Sequence, residues 1–161
     1  MLTLIQLQEG LPPLPEVAAL LQQLKNLKHT GAVSLTTPAG MAVSGEAGFS
    51  EMKMKAFTLV ADYDPVSMKV LFSGAAPIAQ TPLHWVLHRL RESRVVLQVK
   101  AQLSLEENLR DRARYYPHEL LLEAASRARR DGYLWDGTYT YVWADTLELA
   151  DERLGRLCDG G

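Results

Sequence analysis

The feature that most limits how this 161-residue chain can fold is the run DGYLWDGTYTYVW at residues 131–143. Asp136-Gly137 divides the run into two short segments rich in Tyr, Trp and Thr, which favour strands. An Asp-Gly pair supplies the positive backbone angles of a tight two-residue turn. We therefore predict a β-hairpin in which Trp135 pairs with Thr138.

Aromatic side chains occupy both faces of this predicted hairpin. When only one face of an antiparallel segment packs on the core, the other face is usually polar. A second aromatic face therefore indicates a surface that meets another molecule. We predict a protein-contact or homodimer interface made of Tyr133, Trp135, Tyr139, Tyr141 and Trp143. The alternative, in which the hairpin packs between two helices of its own fold, stays open at this point.

The N-terminal half is predicted to form one helix and a β-meander. Pro15 suits the first position of a helix, where a missing N–H costs nothing. Val17, Leu20 and Leu24 then recur at helical spacing. Strand-type segments separated by turn residues follow over residues 31–73 and predict an antiparallel meander packed on this helix.

The second half predicts the order helix, strand, helix, helix, hairpin, helix. Thr81-Pro82 begins the first of these helices. The segment RVVLQVKAQL follows as a strand with one mostly polar face, and Pro117 separates the next two helices. We predict an α+β fold with lobes at residues 1–80 and 81–161, or one continuous domain.

The phrase AASRARRDGYLWDGTYTYVW and the element order over residues 82–143 resemble the winged-helix domain of DNA-binding regulators. In that family a helix enters the major groove and the wing touches phosphates or the minor groove. The resemblance implies a winged-helix-like helix-strand-helix-helix-hairpin segment after the meander, and nucleic acid as an alternative partner. The candidate phosphate contacts are Arg110, Arg112, Arg114, Arg127, Arg129 and Arg130. Cations at a helix C-terminus also complement the helix dipole, which gives some of these arginines a structural role.

The segment LPEVAALLQQLKNLKHTGAVSL, residues 14–35, resembles the start of the bacterial PATAN-type regulatory domain. In that family a leucine-rich helix leads through a basic turn and Thr-Gly into a strand. The resemblance implies signalling by protein contact, without catalysis.

Charge and composition narrow the class of protein further. Residues 89–130 carry ten basic and six acidic residues, whereas residues 131–161 carry two basic and seven acidic residues. Patches of opposite sign either bind a charged partner or attract one another. The single cysteine, Cys158, excludes an intramolecular disulfide and predicts a cytoplasmic protein. No apolar run approaches the ~20 residues that a membrane span needs, and the N-terminus lacks a basic leader.

Two histidines, His84 and His88, are spaced so that both imidazoles could reach one metal ion from the same helix. Their position beside the apolar stripe suits hydrogen-bonding histidines equally well, and a metal would need a third ligand. We therefore predict no metal and no cofactor, with these two residues as the sole metal candidates.

The functional prediction is a non-enzymatic, bacterial-type regulatory or adaptor protein that acts through protein contacts, with a homodimer as the expected assembly. Motifs for nucleotide binding, serine hydrolysis and thiol redox chemistry are absent from the sequence. The alternative is a nucleic-acid-binding protein that uses the winged-helix-like segment.

Overall fold

Strands outnumber helices in the computed structural model of the chain, which describes residues 2–90, 93–100, 132–136 and 138–159. Within these residues there are nine strands and three α-helices. The chain divides into two compact units, an N-terminal unit (Met1–Trp85) and a C-terminal unit (Val86–Gly161).

The elements follow one another in an order that begins with a strand. The first half contains β1 (Thr3–Gln8), α1 (Pro15–Leu24), β2 (Thr30–Thr37), β3 (Gly40–Ser44), β4 (Ala47–Gly48), β5 (Phe57–Asp64) and β6 (Lys69–Gly74). The second half contains α2 (Thr81–Leu90), β7 (Val95–Val99), β8 (Tyr133–Trp135), β9 (Thr140–Ala144) and α3 (Leu147–Asp159).

The strands of the N-terminal unit lie in the order β1-β6-β5-β3-β2, and β4 pairs with β2. The β1–β6 pair is parallel, whereas β2–β3, β3–β5 and β5–β6 are antiparallel. Gly40 begins β3 with φ +141°, and a Cβ built there would lie 2.4 Å from the carbonyl oxygen of Val60. The strands can approach at this point because glycine has no side chain.

The core of the N-terminal unit is made of apolar side chains from helix α1 and from the strands. Helix α1 begins at Pro15, as predicted, and buries Val17, Leu20 and Leu24 at helical spacing. A cluster of strand residues comprises Met41, Val43, Val60, Tyr63, Val70 and Phe72. Burial of such side chains is the main favourable term in folding. The predicted meander is confirmed by the antiparallel ladders from β2 to β6.

The C-terminal unit arranges its three strands in the order β7-β9-β8, with both pairs antiparallel. Helix α3 packs against β7 and β9. The amide of Leu149 donates to the hydroxyl of Thr146, so Thr146 caps the helix. All five residues of β9 are buried, which makes this strand the centre of the unit.

The predicted fold class is wrong. We expected a helix-led α+β chain with a winged-helix-like segment, but strands outnumber helices three to one in the described ranges. The polar face predicted for the strand after α2 is not exposed, because Val96 and Gln98 are both buried within β7. The two helices predicted between residues 104 and 130 lie outside the described residues. The division into lobes 1–80 and 81–161 stays a prediction.

The hairpin forms, but one residue further along than predicted. Trp135 pairs with Thr140 instead of Thr138. The amide of Asp136 donates to the carbonyl of Tyr139, so the turn lies between these two residues. Because the partner of each residue moves by two positions, every side chain keeps its predicted face.

The three helices of the described ranges contain ten, ten and thirteen residues. None of them is long and apolar enough to cross a membrane.

Candidate anion-binding site

A cavity of about 220 Å³ lies beside the start of β8 and the C-terminal half of α3. It is lined by Gly132, Tyr133, Arg153, Arg156 and Leu157. Arg153 and Arg156 are three residues apart on one helix, a spacing that places both side chains on the same face. Two guanidinium groups therefore border one small space.

Arg153 is held in place by the backbone of the neighbouring strand. Its Nη1 donates a hydrogen bond of 2.6 Å to the carbonyl oxygen of Trp143. The guanidinium carries five N–H donors, so this bond leaves further donors for a ligand. Gly132, with φ +76°, lies so close that an added Cβ would be 3.4 Å from Nη1 of Arg153. Glycine thus leaves room for the guanidinium beside the backbone.

Arg156 is more loosely held. Its Nη2 forms a 2.9 Å ion pair with Oε1 of Glu152, one helical turn away. The side chains are 67% and 60% exposed, so water weakens the pair. An incoming anion can therefore compete with Glu152 for this guanidinium.

The remaining lining suits a small organic anion. Tyr133 contributes a phenol and Leu157 an apolar side chain, and both are half-buried. A guanidinium group can donate two parallel hydrogen bonds to the oxygens of a carboxylate or a phosphate. The arrangement is suited to one such group attached to a short carbon chain.

The aromatic residues predicted to form an interface are mostly inside the chain itself. Trp135, Tyr141 and Trp143 are buried, whereas Tyr133 and Tyr139 keep part of their surface. Three of the five side chains therefore have little surface to offer a partner. The homodimer through this hairpin stays a prediction that no observation on the molecule tests.

Asp136 organises the turn of the hairpin. Its Oδ1 accepts hydrogen bonds from the amides of Thr138 and Tyr139, each at 2.8 Å. Its Oδ2 accepts a 3.0 Å bond from the hydroxyl of Tyr141. Burial, and then the negative charge of Asp136, raise the pKa of Tyr141 above its usual value of 10.0. The phenol therefore stays protonated and donates to the carboxylate.

The two candidate metal ligands have other partners. Nδ1 of His84 lies 2.6 Å from the hydroxyl of Ser34, and Nδ1 of His88 lies 2.7 Å from the carbonyl oxygen of Ser93. Both histidines are buried. Burial lowers the pKa of His88 to about 4, although the bond to Ser93 opposes that shift. Across the described ranges, no three His, Cys, Asp or Glu side chains are grouped so that they could hold a metal ion.

The six arginines predicted to contact phosphates, Arg110, Arg112, Arg114, Arg127, Arg129 and Arg130, lie outside the described residues. Arg153 and Arg156 were not among the predicted site residues, and they lie in an acidic segment. The sequence nevertheless shows that these two are the only basic residues of positions 131–161, and their spacing places them on one helical face.

Comparison with known proteins places the fold. No protein-family model matches the sequence, and no curated protein matches it either. Among solved structures, the chain is similar to L-fuculose-1-phosphate aldolase from Thermus thermophilus, with a TM-score of 0.60 and 16% sequence identity. The match covers 88% of this chain and 89% of that chain. At this identity the likeness concerns the fold.

This likeness corrects the functional predictions. The winged-helix and PATAN resemblances are wrong, because the fold is similar to that of a solved aldolase over 88% of this chain. The prediction of a non-enzymatic regulatory or adaptor protein is contradicted by the same finding, since the similar solved structure is that of a protein named an aldolase. The alternative of nucleic-acid binding, which depended on the winged-helix segment, loses its basis.

Proposed function

We propose that this chain is an enzyme of the aldolase-type fold whose substrate is a small phosphate ester, held by Arg153 and Arg156. The cavity between α3 and the start of β8 is the observation that carries the proposal. It brings the side chains of Arg153, Arg156 and Tyr133 to one small space. Small-molecule sites are typically concave, with a few convergent polar groups.

Charge favours a phosphate monoester as the ligand. A phosphate monoester carries about −1.5 to −2 charges at neutral pH, so it can accept from both arginines at once. Residues 131–161 carry a net charge of −5. The arginine pair is therefore a local positive site within an acidic segment, and the ligand's charge selects this site over the rest of that segment.

The two arginines have different roles in the proposed complex. Arg153, tied to the carbonyl of Trp143, is a preorganised donor that needs little reordering to bind. Arg156 exchanges its solvated partner Glu152 for the phosphate. Tyr133 supplies a phenol for a substrate hydroxyl or ester oxygen, and Leu157 contacts the carbon chain.

The reaction class comes from the fold by analogy, and a fold alone does not dictate chemistry. The solved protein is named an aldolase acting on a sugar phosphate. The proposed reaction for this chain is aldol cleavage of a phosphorylated hydroxy-carbonyl compound. One carbon–carbon bond breaks, the hydroxyl carbon becomes a carbonyl, and the other fragment takes up a proton.

Calorimetric titration with a sugar phosphate and with the same sugar lacking phosphate tests the binding step. We expect only the phosphorylated form to bind, and the substitution Arg156→Gln to weaken it by about tenfold or more, since a charge-assisted bond is lost. Arg94, exposed in the same unit, provides the matched control Arg94→Gln, which should bind as the wild type does. Equal affinity for both sugars would contradict the proposal.

Cleavage is tested separately by trapping newly formed carbonyl groups while a panel of sugar phosphates is incubated with the protein. We expect carbonyl release from at least one phosphorylated sugar and slower release in Arg156→Gln. Binding of phosphate esters without any carbonyl release would refute the aldolase reaction but retain the anion site. Tighter binding of a short carboxylate than of any phosphate would refute the substrate class.

A further inference from the structure

Arg153 and Arg156 are like charges held close together on one helix. They are three residues apart on α3, and both line the cavity. Like charges at neighbouring positions of a helical face repel one another. Each guanidinium has an oxygen partner within the chain, which is the carbonyl of Trp143 for Arg153 and the carboxylate of Glu152 for Arg156. These two oxygen partners offset the repulsion.

The two oxygen partners differ in how firmly they are held. The carbonyl of Trp143 belongs to β9, and the amide of the same residue donates a 3.2 Å hydrogen bond to the carbonyl of Gly132. The acceptor of Arg153 is therefore fixed by strand pairing. Glu152 is an exposed side chain on the helix, and water competes for its 2.9 Å contact with Arg156. Of the two contacts, the one made by Glu152 opens at the lower cost.

The carboxylate of Glu152 has the chemistry of the ligand proposed for this site. It accepts from Arg156 through an anionic oxygen, as a phosphate oxygen would. The described residues that line the cavity include Arg156 but not Glu152. A bound phosphate therefore takes the guanidinium from Glu152 without having to occupy the same space.

We infer that Glu152 sets the affinity of the phosphate site proposed above, on which this role depends, by competing with the ligand for Arg156. Before a ligand binds, Glu152 neutralises Arg156. A phosphate monoester, with about −1.5 to −2 charges, accepts from both arginines, and the carboxylate of Glu152 returns to water. The competition holds the affinity below the value that two unpaired arginines would give, so the site releases phosphate more readily.

Glu152 affects some anions more than others. After its bond to Trp143, Arg153 keeps donors enough to hold a carboxylate through two parallel hydrogen bonds. A carboxylate therefore binds while Glu152 stays on Arg156. A phosphate monoester has three terminal oxygens and a larger charge, and it recruits Arg156 as well. Removing the charge of Glu152 should thus strengthen phosphate binding more than carboxylate binding.

Calorimetric titration of the full chain with a sugar phosphate tests this role. We expect Glu152→Gln to bind about two- to fivefold more tightly than the wild type, in line with the modest strength of an exposed ion pair at this helical spacing. Glu148→Gln is the matched control, because it removes the same charge from an exposed position one turn earlier on α3. It should bind as the wild type does. An unchanged affinity in Glu152→Gln, or equal gains in both variants, would overturn the inference.

A double-mutant cycle separates competition for Arg156 from a general repulsion of anions. In an Arg156→Gln background the charge of Glu152 has no guanidinium to occupy, so Glu152→Gln should give no further gain in phosphate affinity. A gain of the same size in both backgrounds would show that Glu152 repels the ligand directly, and it would overturn the inference. Far-ultraviolet circular dichroism verifies that each variant keeps the helix content of the wild type.

The same titrations distinguish failure of this inference from failure of the proposed function. If the wild type binds the sugar phosphate and Glu152→Gln binds it no more tightly, only the role of Glu152 is refuted. If neither protein binds it, the phosphate site itself is refuted, and the role of Glu152 falls with it. A sugar carboxylate that gains as much affinity as the sugar phosphate would contradict the stated preference.

Discussion

Strands β1 and β9 come from one chain and have opposite surroundings. All six residues of β1 are exposed, and all five residues of β9 are buried. Both strands are rich in apolar residues, so composition does not separate them. Their positions do, because β9 has a strand on each side and β1 has one neighbour in its unit. Place in the sheet, together with the helix α3 that packs on β9, therefore decides whether these apolar strands become core or surface.

The contrast reverses the expectation from aromatic content. The hairpin that contains two tryptophans and three tyrosines lies mostly in the interior, while the aliphatic strand at residues 3–8 offers the accessible apolar edge. Large aromatic rings contribute the most buried area per residue, and this favours their use in a core. The following predictions compare how much the free energy of unfolding changes when buried and exposed residues are substituted.

The largest effect is expected for Tyr141→Ala in β9. Tyr141 is fully buried and lies edge-on to Tyr139, with ring centroids 6.4 Å apart. Removing a buried aromatic ring lowers the free energy of unfolding by about 3–5 kcal/mol. Urea denaturation followed by fluorescence measures this. Tyr141→Phe keeps the ring and should cost about 1 kcal/mol through loss of the bond to Asp136. Equal losses for both variants would show that the ring is not the source of stability.

The next largest expected effect is a pH dependence of the free energy of unfolding, and it comes from a buried histidine. The pKa of His88 is about 4 in the folded chain, compared with 6.5 for an exposed histidine. Between these values the unfolded chain binds the proton and the folded chain does not, so stability falls as pH drops from 6.5 to 4. The loss is on the order of 3 kcal/mol at most. His88→Gln should flatten this part of the stability–pH curve, and an unchanged slope would exclude His88 as its cause.

A smaller effect is expected at the turn that leads into β9. Asp136→Ala removes the acceptor of the amides of Thr138 and Tyr139 and of the Tyr141 hydroxyl. We expect a loss of about 2 kcal/mol, since donors that are partly buried lose their partner. Asp145 is exposed just beyond the other end of β9, and Asp145→Ala should change stability by less than about 0.5 kcal/mol. Similar values for the two variants would contradict the role given to Asp136.

The smallest effect is expected on β1 itself. Leu7→Ala should change the free energy of unfolding by no more than about 0.5 kcal/mol at low protein concentration, because the side chain is 54% exposed. Leu134→Ala makes the same chemical change at a fully buried position of β8 and should cost about 2–5 kcal/mol. Comparable losses at the two leucines would remove the energetic distinction between the exposed and the buried position.

Local patterns in the sequence predicted many of the elements. Helix α1 begins at Pro15 and buries its predicted stripe, and β5, β6 and β7 lie in the segments expected to form strands. Each of these depends on residues a few positions apart, whose spacing is visible in the sequence. The hairpin also forms, with its side chains on the predicted faces.

The candidate site was not predicted, because its parts come from separate segments. Arg153 and Arg156 are on α3, whereas Gly132 and Tyr133 precede or begin β8. Their meeting depends on helix α3 packing beside the hairpin, and the sequence contains no motif for that contact. For the histidines, the sequence suggested a site that the structure does not show. Their spacing suggested a shared metal ion, but His84 and His88 have separate hydrogen-bond partners in the folded chain.

Sequence alone predicted helix α1, the strands of the meander and which side chains share a face of the hairpin. These properties follow from backbone sterics and from the periods of helix and strand, both of which act over a few residues. Tertiary structure alone decided that Tyr141 is interior and Ile5 is at an open edge, and that two arginines border one cavity. Burial and electrostatic surroundings depend on neighbours that are distant along the chain, and only the folded arrangement of strands supplies them.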